Sequence, residues 1–249
     1  MSNIADSLLS DLRKASDEKV YAARENIITF MEYCFTDPNG KPWSMQPFHR
    51  KILEMCQTER NLLVECPRRS GKSSLMAVAY PLWRLLHNRD MRIMIISASE
   101  SLAKQWLREI ENNLETNERY RSLAGDLVPS ARTTTWTDKE KIVSGRSNKA
   151  THVSLLAMGF DGRPRGRRAD LIIFDDVVNE QNSATEYQRE KVKDKFYKAF
   201  LPVLDRNARD PISGQTIVVG TPYTLGDLYD DLAAKWSDPF YGDDTDKSY

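Results

Sequence analysis

One stretch constrains the fold of this chain more than any other. Cys66-Pro-Arg-Arg-Ser-Gly71-Lys72-Ser73 lies between a short apolar run, Asn61-Leu-Leu-Val-Glu-Cys66, and a segment of helical character from Lys72 to Leu86. A strand that enters a tight turn and then a helix aims backbone N–H groups and the positive helix end at one point, the arrangement that holds phosphate oxygens. At this spacing Lys72 reaches the β- and γ-phosphates of a nucleotide, and the Ser73 hydroxyl ligates Mg²⁺. The predicted phosphate-binding set is therefore Arg68, Arg69, Ser70, Gly71, Lys72, Ser73 and Ser74. Cys66 stands where the pattern G-x-x-x-x-G-K-[ST] has its first glycine.

The pattern of strand and helix recurs along the chain. Arg92-Ile-Met-Ile-Ile-Ser97 reads as a strand. The helix after it carries Leu102, Trp106, Ile110 and Leu114 four apart, with Ser97-Ala-Ser-Glu100 as its expected capping box. Val153 to Met158, Leu171 to Phe174 and Thr216 to Val219 are further predicted strands, and Val192, Phe196 and Phe200 mark a helix between the last two. Thr133 to Ser144 alternates like a hairpin whose Trp136 suits core and surface equally. Alternating strands and helices imply an α/β fold, a mainly parallel sheet with helices on both faces.

Upstream, Ile4, Leu8 and Leu12, then Val20, Ala23, Ile27 and Met31, fall at helical spacing before the break at Asp37-Pro-Asn-Gly-Lys-Pro, and Gln46 to Cys56 forms another short helix. The expected division is a helical extension over 1–42, a P-loop domain over 43–236 and an acidic tail or linker start over 237–249, a plan that suits a chain of 249 residues with one large core.

Two further strands end in chemistry. Leu171-Ile-Ile-Phe174-Asp175-Asp176 places two carboxylates after an apolar strand, roughly a hundred residues past the P-loop. Asp175 is expected to hold Mg²⁺ and Asp176 to orient and help deprotonate the attacking water, with Glu180 as the alternative base. Thr216-Ile-Val-Val-Gly220-Thr221-Pro222 brings Thr221 to the carboxyl edge of a parallel sheet, within reach of a γ-phosphate. Between these elements, Gly162-Arg163-Pro-Arg165-Gly-Arg167-Arg168 is an exposed loop with four arginines in seven residues. Guanidinium groups there suit an arginine finger supplied to a neighbouring subunit, Arg165 first and Arg163 next, or a contact to a DNA backbone.

Composition narrows the partners. Formal net charge is zero, so no global positive field draws the chain to nucleic acid, and any polyanion contact must be local. Cys34, Cys56 and Cys66 lack zinc-like spacing and read as free thiols in a reducing compartment. No apolar run approaches the roughly 20 residues of a membrane span, and the amino terminus has no basic leader, so a protein neither secreted nor inserted is expected.

Taken together, these motifs resemble the large terminase subunit of tailed bacteriophages, the family that packages DNA into capsids. The likeness runs from about Trp43 to Leu232. It rests on Met45-Gln46-Pro-Phe48-His49, the glycine-poor P-loop with Arg68 inside it, the arginine-glycine loop leading into Leu171-Ile-Ile-Phe-Asp-Asp, and Gly220-Thr221-Pro222-Tyr followed by Leu225-Gly-Asp-Leu228. The resemblance implies an additional-strand P-loop NTPase fold, ATP and Mg²⁺ as ligands, Gln46 or Phe48 near adenine, and Gly220 to Pro222 as the segment coupling hydrolysis to movement. It also implies double-stranded DNA, portal protein and small terminase subunit as partners, a homo-oligomeric ring that is monomeric when isolated, and work at the procapsid in the host cytoplasm. Such subunits usually continue into an RNase H-like nuclease domain, for which this chain has no room, so the ATPase portion alone is expected. A helicase-like or other nucleic-acid translocase shares the P-loop and acidic strand, and a P-loop kinase or regulatory module shares the P-loop.

Overall fold

The structure, a computed structural model, describes residues 17–37, 39–130, 135–147, 152–205, 212–221 and 223–237. The predicted helical positions Ile4 to Leu12, residue Pro222 and the acidic tail from 238 lie outside them. Six strands form one sheet: β1 (Asn61–Glu65), β2 (Ile93–Ser97), β3 (Glu140–Lys141), β4 (Leu155–Gly159), β5 (Leu171–Asp175) and β6 (Gln215–Gly220), in the order β1-β6-β5-β2-β4-β3. All pairings are parallel except that of β3 with β4. The helices are α1 (Ile27–Cys34), α2 (Pro47–Cys56), α3 (Tyr80–His87), α4 (Glu100–Thr116), α5 (Glu118–Ala124), α6 (Glu180–Ser183), α7 (Glu186–Lys195) and α8 (Leu228–Trp236), with residues 17–25 also helical.

Why the central strands are strands is visible in their burial. Every residue of β2, β5 and β6 is buried, as expected of parallel strands covered on both faces, and alternate side chains feed two separate cores. Ile93, Ile95, Leu171, Ile173, Ile217 and Val219 join one core, beneath α1 to α5. Met94, Ile96, Ile172, Phe174 and Val218 join the other, with Phe196, Phe200 and the apolar face of α8. The segment leading into α3, Ser74–Ala79, is wound more widely than an α-helix, and Tyr80 N–H bonds to Leu75 O five residues back.

The β6 strand lies between the P-loop strand β1 and the acidic strand β5, which is the additional-strand arrangement. Register carries the consequence. Glu65 pairs with Gly220, Asp175 with Val219 and Ser97 with Asp175, so the ends of β1, β6, β5 and β2 finish level. A buried network holds this alignment from below: Gln215 Nε2 donates to the carbonyls of Cys56 and Glu59, and Arg84 Nη1 donates to Gln215 Oε1 at 2.9 Å.

Two local expectations are corrected, and a third is met in short form. The cap of α4 is Ser99, whose side chain accepts from Leu102 N–H, because Ser97 is the fully buried last residue of β2. The buried stripe of α4 is Ala103, Leu107, Ile110 and Leu114, one position round from the expected Leu102 and Trp106. Of the expected hairpin, the described part holds an antiparallel bridge between Trp136 and Lys141 with Ile142 N–H donating to Thr135 O and Thr137 N–H to Glu140 O, while the other edge of β3 pairs with β4. Trp136 is half-buried against the first core, with Lys141 Nζ 4.8 Å from its ring centre.

Candidate active site

The level strand ends open onto a cleft of about 740 Å³ lined by the P-loop residues 68–74 together with Asp176, Val178, Asn179, Thr221 and Tyr223. The loop turns through two left-handed residues, Arg69 (φ 64°) and Gly71 (φ 80°). Glycine is required at 71 for space as well: a Cβ there would lie 3.1 Å from Trp43 Cζ2 and 3.6 Å from His49 Nε2. Those two rings buttress the loop from outside. Gln46 N–H donates to His49 Nδ1, which leaves the proton on Nε2 to donate to Ser70 O at 2.7 Å. His49 thereby ties the start of α2 to the phosphate-binding turn.

Lys72 is 4% exposed, and its ammonium reaches inward. It donates to Cys66 O at 2.9 Å and to Thr221 Oγ1, and lies 3.7 Å from Asp176 Oδ1. One cation thus collects the P-loop, the end of β6 and the end of β5, the three motifs that lie far apart in the chain. Asp176 sits just past β5 with φ 45°, held by its N–H to Val219 O at 2.8 Å. Arg69 and Asp176, the two non-glycine residues with positive φ among those described, both line the cleft, where such strain is commonly retained for function.

Asp175 is buried and behaves differently from an exposed carboxylate. Burial pushes its carboxyl up from 3.8 to about 6, opposed most by the nearby Ser73 hydroxyl, with the charge of Asp176 adding to the rise and Trp106 and Lys72 opposing it. Its Oδ2 accepts from Trp106 Nε1 at 2.8 Å, while its buried Oδ1 has no hydrogen-bond partner among the described residues. A hydroxyl, a carboxylate and phosphate oxygens are the donors Mg²⁺ takes, so Ser73 and the free Oδ1 fit that ion. No group of three or more His, Cys, Asp or Glu side chains placed to hold a metal ion occurs among the described residues.

Other predicted residues fall elsewhere. Gln46 and Phe48 are exposed on the start of α2 and do not line the cleft; His49, between them and the core, is the residue of that element that touches the loop. Glu180 opens α6, exposed and outside the lining. None of the four loop arginines lines the cleft: Arg163, Arg165 and Arg168 are exposed, and Arg167 pairs with Glu140 at 2.5 Å. Residues not foreseen include Asn179, Trp106 and Tyr229. Asn179 caps α6 in a reciprocal pair with Asn182, a signal present in the local sequence. Tyr229, on α8, packs so closely on Gly220 that a Cβ there would lie 2.3 Å from its Cζ, and its hydroxyl accepts from Val178 N–H at 3.2 Å.

A phosphate-binding turn, two carboxylates at the end of a buried strand and a threonine just past the strand between them define the P-loop fold of the additional-strand NTPase class. Among known proteins, the chain is similar to the large terminase subunit of Enterobacteria phage T3, at 28% identity over 178 residues covering 70% of this chain. The chain spans 28% of that relative's length. Solved structures of the Thermus phage P74-26 large terminase ATPase domain align at a TM-score of 0.47, with 18% identity over 74% of this chain and 67% of that one. A point variant of that domain gives the same score, with 16% identity over 75% and 68%. No protein-family model matches. In sequence the chain resembles a phage large terminase subunit, as its motifs led one to expect.

Proposed function

We propose that this chain is a Mg²⁺-dependent ATPase, the motor domain of a viral DNA-packaging terminase large subunit that drives double-stranded DNA into a procapsid. The observation that carries the reading is the convergence of Lys72, Asp176 and Thr221 on one cleft from three strand ends. In it, the loop N–H groups and Lys72 bind the β- and γ-phosphates and offset the charge that builds there during transfer. Ser73 and Asp175 would hold Mg²⁺, which would supply positive charge against the phosphates. Asp176, exposed to the cleft, orients the attacking water and accepts its proton. Thr221 and Cys66 O both accept from the Lys72 ammonium and the Thr221 hydroxyl also donates to Cys66 O at 3.3 Å, so a γ-phosphate that draws Lys72 away would leave Thr221 on that one long bond and loosen the end of β6. This supports Gly220 to Pro222 as the coupling segment.

The working assembly in this reading is a homo-oligomeric ring on the portal in the host cytoplasm, engaged with double-stranded DNA and a small terminase subunit, with residues 1–42, 43–236 and 237–249 as extension, motor and tail. No helix among the described residues is long and apolar enough to cross a membrane. The test is ATP hydrolysis by wild type and Lys72→Ala, with and without double-stranded DNA. Wild-type turnover that Lys72→Ala abolishes while keeping its thermal midpoint, and that DNA stimulates in assembled rings, supports the motor. Equal rates in both proteins would end the P-loop reading, and tight nucleotide binding without turnover would favour a switch.

A further inference from the structure

Trp106 belongs to α4, a helix with no other part in the candidate site, yet its indole Nε1–H donates to Asp175 Oδ2 at 2.8 Å. An acidic side chain at a strand end can turn about two bonds, and in a buried place its orientation is set by the donors that meet it. Trp106 takes one oxygen, while Oδ1 stays buried and unpartnered among the described residues. Ser97 is in register with Asp175 on the adjacent strand, and its own buried Oγ makes no hydrogen bond among the described residues. An indole N–H is a donor only and carries no charge. It therefore orients the carboxylate without neutralising it, as a lysine or arginine would, and without competing for a cation.

From this geometry we propose that Trp106 is a positioning residue for the metal-binding carboxylate: it locks the rotation of Asp175 so that Oδ1 is reserved for the divalent cation of the nucleotide. The proposal rests on the reading of the cleft as a Mg²⁺-ATP site. It also makes α4, which packs on β2 and β4, the support of the metal position from the far side of the sheet's centre.

The experiment compares wild type, Trp106→Phe and Trp106→His in ATP turnover against Mg²⁺ concentration, beside metal-free ATP binding by calorimetry and thermal unfolding. Phenylalanine keeps the ring and removes the N–H, whereas histidine returns a donor. Partners that orient a metal ligand typically contribute about tenfold to a hundredfold in metal affinity or activity, so the Mg²⁺ midpoint of Trp106→Phe should rise by that factor. Metal-free ATP binding and the thermal midpoint should stay near wild type, and Trp106→His should recover part of the loss. A Mg²⁺ midpoint unchanged in folded Trp106→Phe overturns the proposal, as does an equal loss of metal-free binding, which would mark a purely structural residue. A wild type with no Mg²⁺-dependent ATP binding or turnover would instead remove the nucleotide-site reading, and this proposal with it. Should Trp106→Phe fail to fold, the chain's five tryptophans allow an NMR test on ¹⁵N-indole-labelled protein. A downfield indole N–H that shifts on Asp175→Asn supports the bond, and its absence overturns it.

Discussion

Replacing Asp175 by asparagine should make the nucleotide-free protein more stable while destroying its use of Mg²⁺. The carboxyl is buried and titrates at about 6 rather than 3.8, so between those values the unfolded chain has lost the proton that the folded chain retains. With fewer protons on the unfolded state, stability falls as pH rises through this window, and above it the folded protein carries the full cost of a buried charge. At about 1.4 kcal/mol for each pH unit, the displacement corresponds to about 3 kcal/mol at pH 7.5. It shrinks to about 1 kcal/mol at pH 4.5, where only the unfolded carboxyl is mostly ionised. Asparagine keeps an oxygen to accept from Trp106 and removes the charge. Chemical denaturation of wild type and Asp175→Asn, without nucleotide or divalent cation, should therefore show the variant ahead by up to about 3 kcal/mol at pH 7.5 and by much less at pH 4.5. Taking the difference cancels the other carboxylates. Saturating Mg²⁺-ADP should narrow or invert the gap, because it binds the folded wild type through the ionised form. A variant less stable than wild type at pH 7.5, or a gap that does not change with pH, would refute the buried-charge account.

Asp176→Asn should bind ATP and hydrolyse it on the order of a hundredfold or more slowly; if Glu180→Gln alone behaves so in single-turnover assays, the base is Glu180. Gly220→Ala forces a methyl into the ring of fully buried Tyr229 and should lose about 1–3 kcal/mol in denaturant titration, a cost that an unchanged midpoint would disprove. In assembled rings, Arg165→Ala should slow turnover on the order of a thousandfold. Mixing it with Lys72→Ala subunits, which still offer Arg165, should restore part of the rate; no recovery points to a DNA-backbone contact instead.

What could be read from the sequence was what is local. The central strands announce themselves as continuous apolar runs because both of their faces are covered, and the turn from β1 into Lys72 needs only its own residues to be recognised. Errors arose where two local solutions were equivalent. Ser97 and Ser99 both precede the helix, and only the burial of Ser97 in the sheet decides the cap. Spacing by four is met equally by Leu102 and Trp106 or by Ala103 and Leu107, and packing on β2 and β4 chooses the second pair. That rotation leaves Trp106 at the edge of the first core, where its indole N–H meets Asp175. Its partner lies 69 residues away, and nothing near either residue announces the contact. The same holds for Thr221 and Lys72, 149 residues apart, which meet because β6 inserts between β1 and β5 in level register. The arginine loop marks the boundary from the other side: its residue types were legible, but within one chain it does not enter the cleft. In the proposed ring, a charge that serves the γ-phosphate from there would come from a second copy, and the destination of Arg165 would then be set by the assembly rather than by one chain's sequence pattern.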